Sequence, residues 1–253
     1  MNADAYIRRI GLSPPLAPDE ATLFALQKAH LYSVPYENLD ILAGAPISLE
    51  AGDLFEKIVV RGRGGCCFEL NALYRALLEA IGYSATSYFA RFLRNEPEIP
   101  MRRHHVLRVR AAGMEDYLCD VGVGTGSPTH PILLREGLIQ EQGGDRYRLV
   151  KDDFLGWVLE EEKRGEFVRV YSFTEEPQIP VDFAAAMFYC ERHEKSIFNK
   201  AAMISLRTEG GRATLDGDEF RVFDGGEVSV TTVADPAERR RLIGERFGIR
   251  DYD

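Results

Sequence analysis

Four cysteines, one tryptophan and no apolar run long enough to cross a bilayer are what this 253-residue chain is short of. Cys66, Cys67, Cys119 and Cys190 show no scaffold spacing, and a chain of this size can bury a core without staples. A reducing cytoplasm is therefore expected, with no structural disulfide and no metal site, because adjacent cysteines lack zinc-ligand spacing. Positive charge is also scarce: 31 Lys and Arg stand against 40 Asp and Glu, a net charge of −9. A nucleic-acid or anionic-membrane partner would need a basic face, so neither is expected. The first residues, Met1-Asn2-Ala3-Asp4, lack the basic and apolar regions of a signal peptide.

What the chain does have is the stretch Arg63-Gly64-Gly65-Cys66-Cys67-Phe68-Glu69-Leu70-Asn71. From Leu70 the apolar residues fall at Leu73, Tyr74, Leu77, Leu78 and Ile81, a helical stripe, and Gly82 stands where a helix ends. Two glycines before it free the backbone for a turn. This places Cys67 at the first turn of a buried helix, where unpaired N–H groups and the helix dipole favour a thiolate.

Upstream, Asn2 and Asp19 are expected to cap helices through Ile10 and His30, and Ser48 a third helix with Leu54, Phe55, Ile58 and Val59 inward. Pro35 breaks the pattern between them. His30, on an apolar helix face, reads as a core histidine. Downstream, strands are expected at Ser84–Leu93, 104–110, 117–121, Tyr147–Val150, 157–160, 167–173, Met203–Thr208, 212–215, 219–223 and 227–233. A short helix is expected over 182–190 and a terminal one from Asp235-Pro236. Helices followed by antiparallel strands give an α+β fold. The Gly122-Val123-Gly124-Thr125-Gly126 run is no dinucleotide loop, because its spacing differs from G-x-G-x-x-G and prolines follow it.

A cysteine nucleophile needs a base, and the base an orienting group. His104 and His105 open one strand and Asp120 ends its hairpin partner, so an Asp–His contact is natural. Alternation sends the two histidines to opposite faces, and periodicity does not choose between them. Cys119 should face the core.

The segments Arg63-Gly64-Gly65-Cys66-Cys67-Phe68-Glu69, His104-His105-Val106-Leu107-Arg108-Val109 and Asp120-Val121-Gly122-Val123-Gly124 together resemble the arylamine N-acetyltransferases, as does Val34-Pro35-Tyr36-Glu37-Asn38-Leu39. The resemblance covers the whole chain, more weakly after Pro180. It implies a catalytic set of Cys67, His104 (with His105 as the alternative) and Asp120. It also implies acceptor-pocket positions at Tyr36, Val123 and Phe198, with Val123 standing where bacterial members often have Phe. The architecture implied is a helical N-terminal bundle (1–83), an antiparallel β-barrel (84–180) and an α/β C-terminal lid (181–253), around a cysteine-proteinase-like core. The activity implied is ping-pong transfer of acetyl from acetyl-CoA, through a cysteine thioester, to an arylamine, arylhydrazine or N-hydroxyarylamine. The alternative is an amide synthase, cysteine hydrolase or transglutaminase-like enzyme using the same three residues.

Overall fold

The computed structural model describes residues 1–252. Helices α1 (Ala3–Arg9) and α2 (Glu20–Ser33) begin at the expected caps: the Asn2 side chain accepts from Ala5 N and that of Asp19 from Thr22 N. A short helix not expected from the sequence, α3 (Leu39–Leu42), follows Pro35. Helix α4 (Ala51–Phe55) runs on into a π-helical turn, Glu56–Val60. Its cap position is Glu50 rather than Ser48, whose hydroxyl donates to Asp53 instead. Helix α5 (Cys67–Ile81) is the cysteine helix, closed by Gly82 at φ 114°, a conformation open to glycine. Its stripe meets Tyr6, Ile7, Leu23, Leu26, Leu54 and Ile58 from the helices before it in the largest apolar core.

Eight strands come next: β1 (Ser84–Phe92), β2 (His104–Arg110), β3 (Tyr117–Cys119), β4 (Ile132–Leu133), β5 (Gln140–Gln142), β6 (Asp145–Asp152), β7 (Gly156–Lys163) and β8 (Glu166–Gln178). They pair antiparallel in the order β4-β3-β2-β1-β8-β7-β6-β5. The sheet curls into a nearly closed barrel. At the seam between β4 and β5 the Gln140 amide exchanges bonds of 2.8 and 3.0 Å with the main chain of Leu133. Gln142 does the same with His130, at 2.8 and 3.1 Å. Strand β2 is buried on both faces. Leu107 and Val109 pack on the helical core, whereas Val106 joins Tyr88, Leu149, Leu159 and Tyr171 inside the barrel.

The last part starts with a 3-10 turn, Pro180–Phe183, that runs into α6 (Ala184–Arg192). A four-stranded antiparallel meander follows, β9 (Met203–Thr208), β10 (Gly211–Asp216), β11 (Glu219–Asp224) and β12 (Glu227–Thr232), and then α7 (Pro236–Phe247). Helices, an antiparallel barrel and a second sheet make the α+β class expected. No helix among the described residues is long and apolar enough to cross a membrane.

Candidate active site

The R-G-G-C-C turn is held by buried charge. Arg63, 1% exposed, donates through Nε to Glu37 at 2.9 Å and through Nη2 to Asp40 at 2.7 Å. Lys57 pairs with Asp40 at 2.8 Å and Glu69 at 2.6 Å, and Glu69 accepts from Cys66 N at 2.9 Å. Glu69 thus ties the turn to helix α5, whereas Arg63 ties it to the 37–40 segment, and Lys57 links the two through Asp40 and Glu69. The two glycines serve space rather than torsional freedom. A Cβ on Gly64 would stand 1.9 Å from the Pro35 carbonyl oxygen, and one on Gly65 would stand 2.9 Å from the Glu69 side chain.

Tyr36 is the pin between this turn and the second sheet. It bridges Gly65 on one side and exchanges 3.0 Å bonds with Ser205 of β9 on the other.

Cys67 begins α5, with its Sγ 3.8 Å from the Arg103 carbonyl oxygen. Its surroundings push the thiol well above its ordinary pKa: the neighbouring Cys66 thiol first, then burial, then the nearby Cys190 and Asp120. The helix N-terminus alone does not set the ionisation here.

His104 and His105 separate as strand alternation requires. His104, 3% exposed, lies between strand and cleft, its Nε2 2.7 Å from Asp120 Oδ2. His105 faces α5 instead, bonded to the Ser87 hydroxyl at 2.9 Å and stacked on Phe183 at 4.3 Å. Burial, then the His104 charge, pull the His105 pKa down to about 3. His30 is likewise a core group: it bonds to the Tyr6 hydroxyl at 2.8 Å, and burial lowers its pKa to about 3.

Asp120, 1% exposed, lies just beyond β3, whose register sets Cys119 opposite Leu107. Cys119 itself sits in the helical core. The free carboxylate oxygen of Asp120, Oδ1, accepts from Asn71 Nδ2 at 2.9 Å and from Gly122 N at 2.8 Å. Asn71 also donates to the His105 carbonyl oxygen and accepts from Val121 N. Gln27 of α2 accepts from Asp120 N at 3.3 Å and donates to the Pro128 carbonyl oxygen. Neither side chain was singled out from sequence. Asn71, one helical turn after Cys67, was the detectable one, because i and i+4 share a face.

One cleft of about 270 Å³ gathers Cys67 and His104 with Tyr36, Val123 and Phe198, walled further by Phe92, Met203 and Leu215. Asp120 stands behind His104, out of the cleft. An ionised carboxylate only accepts, so with Asp120 ionised the bonded Nε2 is the nitrogen that carries the proton and Nδ1 the basic one. Cys67 and His104 thus open onto one mostly apolar enclosure. No group of three or more His, Cys, Asp or Glu among the described residues is placed to hold a metal.

A family model for N-acetyltransferase matches residues 19–251. The arylamine N-acetyltransferase of Mycolicibacterium smegmatis is 35% identical over 98% of this chain and 92% of its own length. The structure of Mycobacterium marinum arylamine N-acetyltransferase in complex with CoA superposes with a TM-score of 0.90 at 31% identity, covering 98% of this chain and 93% of that one. The Salmonella typhimurium enzyme gives 0.93 at 29% identity, over 99% and 92%. With the family's sequence pattern and fold present from end to end, the chain belongs to the arylamine N-acetyltransferases and is an acyltransferase.

Proposed function

We propose that this enzyme transfers an acetyl group from acetyl-CoA to an arylamine, arylhydrazine or N-hydroxyarylamine by a ping-pong route, with Cys67, His104 and Asp120 as the catalytic set. The observation that carries this reading is the buried 2.7 Å contact between His104 Nε2 and Asp120 Oδ2, behind a cleft that His104 shares with Cys67. Asp120 holds the tautomer and balances the imidazolium; His104 Nδ1 takes the Cys67 proton. The thiolate attacks the thioester carbonyl of acetyl-CoA, the C–S bond to coenzyme A breaks, the departing thiolate takes the proton held on Nδ1, and acetyl-Cys67 remains beside a neutral imidazole. N–H groups of the first turn of α5 have no intrahelical acceptor and suit the developing oxyanion. The amine then attacks, Nδ1 receives its proton, and the thiol is restored. An aromatic amine stays neutral at pH 7, and the apolar walls Tyr36, Val123 and Phe198 receive its ring and keep water from the thioester.

We assign residues 1–83 to a helical unit bearing the nucleophile, 84–180 to the barrel bearing the base and carboxylate, and 181–253 to a lid over the cleft. All four cysteines are unpaired, which supports a reducing cytoplasm as the place of action.

Incubation with acetyl-CoA alone, read by intact mass, tests the scheme. The expected result is one acetyl group on Cys67 with release of coenzyme A, none in Cys67→Ser, and near-full labelling in Cys66→Ala. Substitution of His104 should abolish labelling far more than that of His105. Equal losses in both cysteine variants, or cleavage of peptides without an adduct, would overturn it.

A further inference from the structure

We propose that Arg103 forms an anion subsite beside Cys67, selecting arylamines that carry a ring carboxylate, the aminobenzoates being the simplest. The inference rests on the acetyl-transfer reading above and deepens it. Among the described residues Arg103 is the one Lys or Arg lining the cleft, whose other walls are mostly apolar. Its main chain is fixed against the nucleophile, with the carbonyl oxygen 3.8 Å from Cys67 Sγ and the N–H bonded to the Ala90 carbonyl at 3.1 Å. The guanidinium lies 6.0 Å from the centroid of the Phe198 ring, so it borders the surface on which an aromatic acceptor would stack.

That guanidinium is occupied only by a weak partner. Nη2 donates to Glu96 Oε1 at 2.8 Å, and the Glu96 side chain is 31% exposed against 16% for Arg103. A half-hydrated pair of this kind is worth little. A carboxylate delivered through an apolar cleft, and able to meet the planar fork of arginine with both oxygens, competes well with it. Asp216, the other charged wall, is exposed and hydrated, and it repels the same carboxylate only through solvent. The alternative anion is a phosphate of coenzyme A. It lies a whole pantetheine arm from the thioester, whereas the Arg103 side chain borders the same cleft as Cys67 and Phe198.

The test uses the intact chain with acetyl-CoA and two acceptors, 4-aminobenzoate and its neutral ethyl ester. The ratio of their kcat/KM values is the readout, because it is independent of how much of each variant is folded. In Arg103→Gln the preference for the carboxylate should fall about ten- to hundredfold, the range for a hydrogen bond to a charged group. Arg103→Lys should keep part of it, and Glu96→Gln, which removes the competitor, should raise it. An unchanged ratio in Arg103→Gln overturns the proposal. So does a defect confined to Cys67 acetylation by acetyl-CoA and absent with 4-nitrophenyl acetate, which would give the guanidinium to the donor's phosphates. Failure of the wild-type chain to form acetyl-Cys67 removes the acetyl-transfer reading and this one together. An adduct with an unchanged ratio removes only the role of Arg103.

Discussion

A methyl group on Gly122 would stand 2.7 Å from the Cα of Cys67, closer than real Cβ contacts come. The loop that follows the carboxylate and the helix that carries the nucleophile therefore touch backbone to backbone. The same added carbon would meet Asn71 Nδ2 at 2.5 Å, the group that holds Asp120. Gly122→Ala is expected to cost about 1–3 kcal/mol of stability through overpacking. It should cost about a hundredfold in acetylation of Cys67, because small displacements of a reacting group are that expensive. Thermal unfolding and stopped-flow release of coenzyme A measure the two effects separately.

Asp120→Asn keeps the shape of the side chain and removes its charge. The amide can donate to His104 Nε2, which favours the wrong tautomer for accepting the Cys67 proton. A loss of about 10³–10⁴ in the acetylation rate is expected, on the scale known for the same change in serine proteases. A variant acetylated within tenfold of the wild-type rate would show that the carboxylate is structural.

The turn before Cys67 depends on Arg63. Its removal leaves Glu37, fully buried, without the cation at 2.8 Å. Arg63→Met should therefore destabilise the chain by about 3–5 kcal/mol, the cost of breaking one side of a buried pair. Glu37→Gln together with Arg63→Met should recover part of that loss. Urea unfolding of the single and double variants supplies the comparison.

Two core histidines set a pH dependence. His30 and His105 titrate near 3 when folded and near 6.5 when unfolded. Between those values the unfolded chain binds more protons, so stability falls as pH is lowered. It is fully present above pH 6.5. The slope should approach about 1.4 kcal/mol per pH unit for each histidine, or about 2.7 for both. Urea midpoints measured from pH 7 to pH 4 give this slope, and His105→Gln should roughly halve it.

The sequence made some of this legible and hid the rest for physical reasons. Helix α5 could be read because a sustained stripe from Leu70 to Ile81 ends at Gly82. The hairpin of β2 and β3 could be read because Ala112-Gly113 lies between two apolar runs. Strands β4 and β5 could not. They are two and three residues long, and across the seam between them the amide side chains of Gln140 and Gln142 stand in for a strand ladder. Helix α3 was hidden in the same way, since four residues after a proline carry no period. Gln27 is invisible as a partner of Asp120 because 93 positions separate them and only tertiary packing brings them together. The direction of the Cys67 pKa was missed for a related cause. A helix start argues for lowering, but the Cys66 thiol, next to it in the chain, bonds to the sulfur, and burial and Cys190 add to the rise from other segments.

Tyr36 has a mechanical consequence. Its single peptide is stitched at once to the cysteine turn and to the edge of the second sheet, so the two flanks of the cleft are not free to swing apart like a hinged jaw. A molecule arriving at Cys67 therefore meets walls whose spacing the main chain has already set, with Ile197, half exposed, among the side chains at its edge.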